Sequence, residues 1–240
     1  MGQVLKNINE VLSCWQWLRP AKEQEPLVVA LVGAGGKTST MYQLAQRLSQ
    51  AGERVLVATT TKIFQPCRNY AATLAQVQAL WQQGHYAVVG TLEPATKKLG
   101  PCKELENWSR EATVVLLEAD GAKRLPAKVP AAIEPVLPKN TYVLGLLGLE
   151  ALGRPVEQVC FRSHLLPGEY GPLFTTGLAA DLLLAPWGTA KGAALEKYYL
   201  VLNKSDLVTK KQIEELLTVL EEKGWPLEKI WLRGDGPNEG

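Results

Sequence analysis

Short, almost wholly apolar runs recur along this chain and constrain its fold more than any other feature. Leu27–Val32 is uninterrupted, and Arg54–Thr59 is built on Val55, Leu56 and Val57. Tyr86–Gly90, Thr113–Leu117, Tyr142–Leu147, Tyr198–Leu202 and Ile230–Leu232 follow. Each is too short for a buried helix and lacks the polar alternation of a strand with one wet face, so each predicts a strand covered on both sides. Between them lie helical patterns: Met41, Leu44, Ala45 and Leu48; the stretch Thr73 to Gln83; and Ile213, Leu216, Leu217 and Leu220. The last is introduced by Thr209 with Gln212 three residues on, the spacing of a capping box. Val4, Ile8, Val11, Leu12, Trp15 and Leu18 predict a further helix over about 3–19, which Pro20 ends.

Apolar strands alternating with helices predict an α/β fold, a mostly parallel sheet with helices on both faces. At 240 residues, 46% apolar and 21% charged, the chain is sized for a single globular domain over 1–240 and is not disordered. Pro126, Pro130, Pro135 and Pro138 forbid a long regular element, so about 118–171 is expected to be an irregular loop region of the functional kind. The polar tail Gly234–Gly240 is expected to fray.

Composition also excludes several classes of function. With 26 basic and 24 acidic residues, a net +2, the chain is too neutral to bind nucleic acid by bulk charge. No apolar run approaches the eighteen or so residues that a membrane helix needs. Asn7, Asn9 and Glu10 stand where a signal peptide would need its apolar core, and Lys6 stands where a myristoylation motif wants Ser or Thr. The four cysteines, Cys14, Cys67, Cys102 and Cys160, form no CxxC pair, and His85 and His164 are the only histidines. A structural zinc site is not expected, and reduced thiols in a cytoplasmic protein are.

Between the first strand and its helix stands Gly33-Ala34-Gly35-Gly36-Lys37-Thr38-Ser39. Glycines allow backbone N–H groups to turn around a phosphate, and the helix N-terminus behind them adds partial positive charge. Lys37 is placed to reach terminal phosphates and Thr38 to offer a hydroxyl to Mg²⁺. The eight-residue pattern GxxxxGK[ST] would need glycine at position 31, where this chain has Leu31. The loop is a shortened P-loop-like variant and resembles the six-residue G-x-x-G-K-T loop of the Mur ligases, which binds ATP phosphates.

A nucleoside triphosphate site needs a carboxylate at the end of a neighbouring apolar strand to hold Mg²⁺. Glu118 and Asp120 close the run from Val114 and, two residues apart, point to one side of an extended chain. Either could hold the metal while the other orients a water or an attacking group; Asp120-Gly121 also has the composition of a plain turn. Lys37, Glu118 and Asp120 are therefore the catalytic candidates. Thr59-Thr60-Thr61-Lys62 closes the second strand, where Thr61 and Lys62 suit phosphate contact, although threonines also suit the sheet itself. Asn203-Lys204-Ser205-Asp206 follows the strand from Tyr198 and resembles the N-K-x-D base-reading motif of GTPases. There the aspartate accepts from guanine's ring N–H and amine, and adenine presents the opposite pattern; the plain alternative is a polar turn. His164 lies among loop residues with Arg162 and is a candidate substrate contact, whereas His85 reads as structural.

Taken in order, V-G-A-G-G-K-T-S at 32–39, T-T-T-K at 59–62, E-A-D-G-A-K-R-L-P-A-K-V-P-A-A-I-E-P-V-L-P at 118–138, G-L-L-G-L-E-A-L-G at 145–153 and N-K-S-D at 203–206 resemble the YqeC family. These are accessory proteins for selenium-dependent molybdenum hydroxylases. The resemblance implies a cytoplasmic protein of selenium or molybdenum-cofactor handling, with a selenium donor, the cofactor or an apo-hydroxylase as partner. Lys123, Arg124 and Lys128, beside the two acids, look like an anion-binding loop that would suit a cofactor phosphate or an anionic selenium donor such as selenophosphate, although lysines are ordinarily solvated surface. The expected activity is GTP- or ATP-dependent and needs Mg²⁺, by hydrolysis or phosphoryl transfer. A nucleotide-gated chaperone or switch and a Mur-like ligase or kinase are the alternatives.

Overall fold

A computed structural model describes residues 3–5, 10, 11, 13 and 25–234. In chain order its main elements are β1 (Leu27–Gly33), α1 (Lys37–Gln50), β2 (Val55–Thr59), β3 (Ile63–Phe64), β4 (Tyr70–Ala71), α2 (Leu74–Gln82), β5 (Ala87–Val89), β6 (Thr91–Glu93) and β7 (Lys98–Gly100). There follow α3 (Leu105–Ser109), β8 (Val114–Glu118), β9 (Ala127–Lys128), β10 (Tyr142–Gly148), α4 (Val156–Val159), β11 (Cys160–Phe161), α5 (Thr176–Leu184), β12 (Tyr198–Asn203), α6 (Lys210–Glu222) and β13 (Ile230–Arg233).

The apolar runs assemble into one eight-stranded sheet of order β13-β12-β10-β1-β8-β2-β5-β4, with every pairing parallel. Parallel strands need long crossovers, and the helices that supply them cover both faces. Alternate residues of β1 serve the two sides. Val29 and Leu31 join Met41, Leu44 and Leu48 of α1, while Ala30 and Val32 join Leu178 and Leu182 of α5 and Leu216 and Leu220 of α6. The expected α/β class, mostly parallel and helix-covered on both faces, is what forms, and it is consistent with a P-loop NTPase-like fold. The antiparallel part is a separate sheet of order β3-β7-β6.

β1 is central, and both its neighbours, β8 and β10, come later in the chain, one on each side. The crossover through α1 leads to β2, beyond β8, whereas the chain leaving β8 passes to β10 on the other side. Such a reversal opens a crevice at the carboxyl ends of the strands, which is where β1, β8 and β12 end in the loop, the acids and Asn203.

The Thr209–Gln212 capping box forms in both directions. The proline-rich stretch holds only the two-residue β9. The helix expected over about 3–19 does not begin at residue 3. Leu5 instead pairs in parallel with Trp231, donating to Ile230 O at 2.8 Å and accepting from Leu232 N at 2.9 Å. The open edge of β13 offers unpaired backbone groups, and an extended Leu5 satisfies them. Glu10, Val11 and Ser13 are helical; the rest of that helix, and the tail after Gly234, lie outside the described residues.

Candidate functional site

At the end of β1 the chain turns through Gly33, Gly35 and Gly36, whose φ values are +86°, +82° and +114°. Ala34 N donates to Leu146 O at 3.0 Å and Gly35 N to Leu125 O at 3.2 Å, so the loop is tied to β10 and to the segment after Asp120. The first intrahelical bond of α1 runs from Thr40 N to Gly36 O at 3.0 Å. The amides of Lys37, Thr38 and Ser39 precede it and stand at the positive end of the helix dipole.

Gly35 shows why a side chain is excluded here. A Cβ on it would stand 2.1 Å from Gly148 N, whereas one on Gly52, at a similar φ of +86°, would meet nothing within 4 Å. Gly52→Ala should therefore cost about 1 kcal/mol, the backbone penalty alone. Gly35→Ala should cost at least about 3 kcal/mol, because strand β10 must also move. Equal losses in urea unfolding would contradict the close approach.

The two carboxylates both face the loop, and the geometry gives them different tasks. Thr38 Oγ1 donates to Glu118 Oε2 at 2.6 Å. Asp120 Oδ2 accepts from Gly33 N at 2.9 Å, and Asp120 Oδ1 lies 3.0 Å from Lys37 Nζ. Lys37 Nζ also donates to Gly33 O at 2.6 Å, and its side chain is almost wholly buried. The Lys37–Asp120 contact is close but off line, and Asp120 Oδ1 accepts no aligned hydrogen bond. Burial pushes the Glu118 carboxyl above its ordinary value, although Lys37 and the Thr38 hydroxyl pull it back. Glu118 is thus the carboxylate beside the hydroxyl, and Asp120 the one beside the lysine.

Tyr42, one helical turn after Thr38, was not singled out by sequence. Its ring stacks on Tyr86 with centroids 6.1 Å apart, and its buried hydroxyl has no hydrogen-bond partner among the described residues. Burial, then the charges of Tyr86 and Glu118, push the phenol up. The i, i+4 spacing from Thr38 was the signal that could have found it.

Lys128 differs from the exposed anion contact that its sequence neighbours suggest. Its side chain is fully buried, with Nζ 3.0 Å from Asp120 Oδ2 and 2.6 Å from Glu134 Oε2. Arg162 Nη1 meets the same Glu134 oxygen at 2.6 Å. Burial pushes the Glu134 carboxyl up, but the hydrogen bonds from Arg162 and Lys128 outweigh it and hold it at about 2. A lysine taken out of water needs such partners, and here two carboxylates supply them. Lys123 and Arg124 remain exposed, both in the left-handed region at φ +47° and +63°.

The Asn203–Asp206 segment reaches the loop through its first residue. Asn203, buried, donates from Nδ2 to Gly35 O at 2.7 Å and accepts at Oδ1 from Arg233 Nη1 at 2.7 Å. Lys204 pairs with Glu150, and Asp206 is exposed in the 3-10 turn Ser205–Leu207. Arg233 had no sequence signal beyond ending a strand. Thr59 Oγ1 donates to Glu118 O at 3.0 Å, and Thr61 N donates to Thr59 Oγ1 at 3.0 Å, so this strand end braces Glu118. Lys62 turns away to Glu93. His164 lines a different cleft of about 900 Å³ with Glu157 and Tyr170, while His85 is exposed.

Among the described residues no helix is long and apolar enough to cross a membrane, and no three His, Cys, Asp or Glu side chains group as a metal site. The sequence model of the family described as "YqeC protein" matches residues 29–164, more than half of the chain. The chain belongs to the YqeC family. A curated relative, "Uncharacterized protein YqeC" of Escherichia coli (strain K12), is 31% identical over 152 residues, which is 56% of this chain and 57% of that protein. The match thus spans little more than half the length of that relative. No solved structure matches the chain. The YqeC match contains the loop, Glu118, Asp120, Lys128, Glu134 and Arg162; Asn203 and Arg233, which brace the loop from behind, lie beyond it.

Proposed function

We propose that this YqeC protein is a nucleotide- and Mg²⁺-dependent cytoplasmic accessory protein, acting in selenium or molybdenum-cofactor handling for selenium-dependent molybdenum hydroxylases. One observation carries the nucleotide part: adjacent residues opening α1 each meet one of the paired acids ending β8, Lys37 with Asp120 and Thr38 with Glu118. The hydroxylase part rests only on what the resemblance to the YqeC family implies, since the curated relative is itself uncharacterized.

The donor set fits a hard cation. Thr38 Oγ1 and Glu118 supply oxygen only, and Mg²⁺ is commonly held by one or two protein oxygens with phosphates and waters completing the octahedron. A Glu118 carboxylate disfavoured by burial gains from a divalent cation beside it. Bound there, the metal would neutralise charge on the terminal phosphates. Lys37 would extend from Gly33 O and Asp120 to the same phosphates. Asp120, keeping Lys128 and Gly33 N, would orient the attacking water or acceptor. Asp206 would read the base, and the Asn203 bond to Gly35 O would hold that reader in register with the loop.

A nucleotide-gated switch is the second reading. Lys128 favours it, because this one lysine joins Asp120 to Glu134 and so couples the loop to the surface around Arg162.

A thermal-shift panel of ATP, GTP and their hydrolysis-resistant analogues with Mg²⁺ tests the proposal. A ligand at a hundred times its Kd adds about 2.7 kcal/mol. GTP is expected to stabilise more than ATP, with Asp206→Asn moving preference toward xanthine nucleotides. Equal or tighter ATP binding, with Asp206→Asn indifferent, would reduce Asn203–Asp206 to a polar turn; no stabilisation by any triphosphate would remove the nucleotide reading.

A further inference from the structure

Beside the loop lies a rim in which cations and aromatic rings alternate. Phe64, 54% exposed, has Lys98 Nζ 5.1 Å from its ring centroid and Arg124 Cζ at 5.3 Å. Phe161 has Lys123 Nζ at 5.0 Å and Arg162 Cζ at 4.6 Å. Separate parts of the chain build this rim: β3 pairs Phe64 with Lys98 of β7, and β11 pairs Phe161 with Lys128 of β9. Lys123 and Arg124 join the two rings, and each sits in a left-handed conformation that ordinary side chains seldom adopt. Strain of this kind is retained where the surrounding structure needs the side chains aimed, here outward over two rings. The rim is also next to the candidate phosphate site, since Leu125 O, one residue after Arg124, accepts from Gly35 N at 3.2 Å.

We infer that this rim is the binding site of a second substrate, a small planar heteroaromatic molecule carrying a phosphate. Arg124 and Lys123 stand outside the ion pairs that engage Lys37, Lys128 and Arg162, so their charge is available to an anion. Arg124 presents a planar fork that matches phosphate oxygens. The open part of Phe64 and the guanidinium plane on it give a flat ligand a stacking surface. Neutral heterocycles would lose the charge contacts, and inorganic phosphate would lose the stacking. The rim adjoins the loop through Leu125, so its ligand would be the acceptor or cargo of the nucleotide-dependent step; only that assignment of role rests on the nucleotide reading.

Riboflavin 5′-phosphate is a suitable probe, because its fluorescence reports stacking. Saturable quenching by the full chain is expected, with riboflavin and inorganic phosphate each at least about tenfold weaker, a difference of about 1.4 kcal/mol. Arg124→Ala and Phe64→Leu, both exposed and with unfolding midpoints expected to match the wild type, should each weaken the probe by about tenfold or more. A saturating hydrolysis-resistant triphosphate with Mg²⁺ should leave probe affinity within about twofold, since the two ligands occupy adjoining sites. Absence of probe binding, equal affinity for riboflavin or phosphate, indifference of both variants, or displacement by the triphosphate overturns the inference. Failure of every triphosphate to bind, with the probe still bound through Arg124 and Phe64, removes the nucleotide reading and leaves the rim standing.

Discussion

Lys37→Ala is expected to eliminate the stabilisation that a triphosphate gives, taking about 2.7 kcal/mol at a hundredfold excess over Kd to nearly nothing. Charge-assisted hydrogen bonds to phosphate contribute about 1.5–3 kcal/mol each, and one ammonium can make more than one. The same change removes a buried partner of Asp120, which keeps Lys128 at 3.0 Å and Gly33 N at 2.9 Å. The variant should therefore fold with a stability lower by about 1–3 kcal/mol. Calorimetric titration well below its unfolding midpoint separates the two effects. Undiminished triphosphate affinity in the folded variant would sink the P-loop reading.

Lys128→Ala should be strongly destabilising. It leaves Asp120 with one cation fewer and Glu134 with Arg162 as its remaining cation, and it empties the space of a fully buried stem. Breaking a buried pair by removing one partner costs about 3–5 kcal/mol. In a domain of this size that lowers Tm by roughly 6–20 °C. Lys128→Met keeps the stem and loses only the charge. If Met restores wild-type stability, packing rather than pairing explains the position; a loss below about 1 kcal/mol in both variants would show that water replaces the ammonium.

The central strands were legible because burial on both faces leaves a mark in local sequence, an apolar run with no polar alternation. α1, α2 and α6 were legible through one wet face each. α5 was not, since Leu178, Ala179, Ala180, Leu182 and Leu183 are all buried and little polar stripe remains to set the period. β3, β6 and β7 span only two or three residues, and antiparallel pairing between 63–64 and 98–99 has no local signature. At the site, spacing placed Glu118 and Asp120 on one side but could not assign them. That needed Thr38 and Lys37 in three dimensions. Lys128 was misleading for a related reason. Lysine is ordinarily a surface residue, and the carboxylates that bury it come from other segments of the chain.

The position of β1 has a consequence for how the molecule is made. Its hydrogen-bonded neighbours begin at Val114 and Tyr142, and the brace on its loop comes from Asn203. On a ribosome, this apolar strand and the glycine turn therefore emerge long before the strands that pair with them. Closing contacts of such sequence separation is slow, and an unpaired apolar strand is sticky while it waits. Only when the chain has been made past residue 203 can the loop be held from both sides. Acquisition of the site thus waits on residues made long after the loop itself.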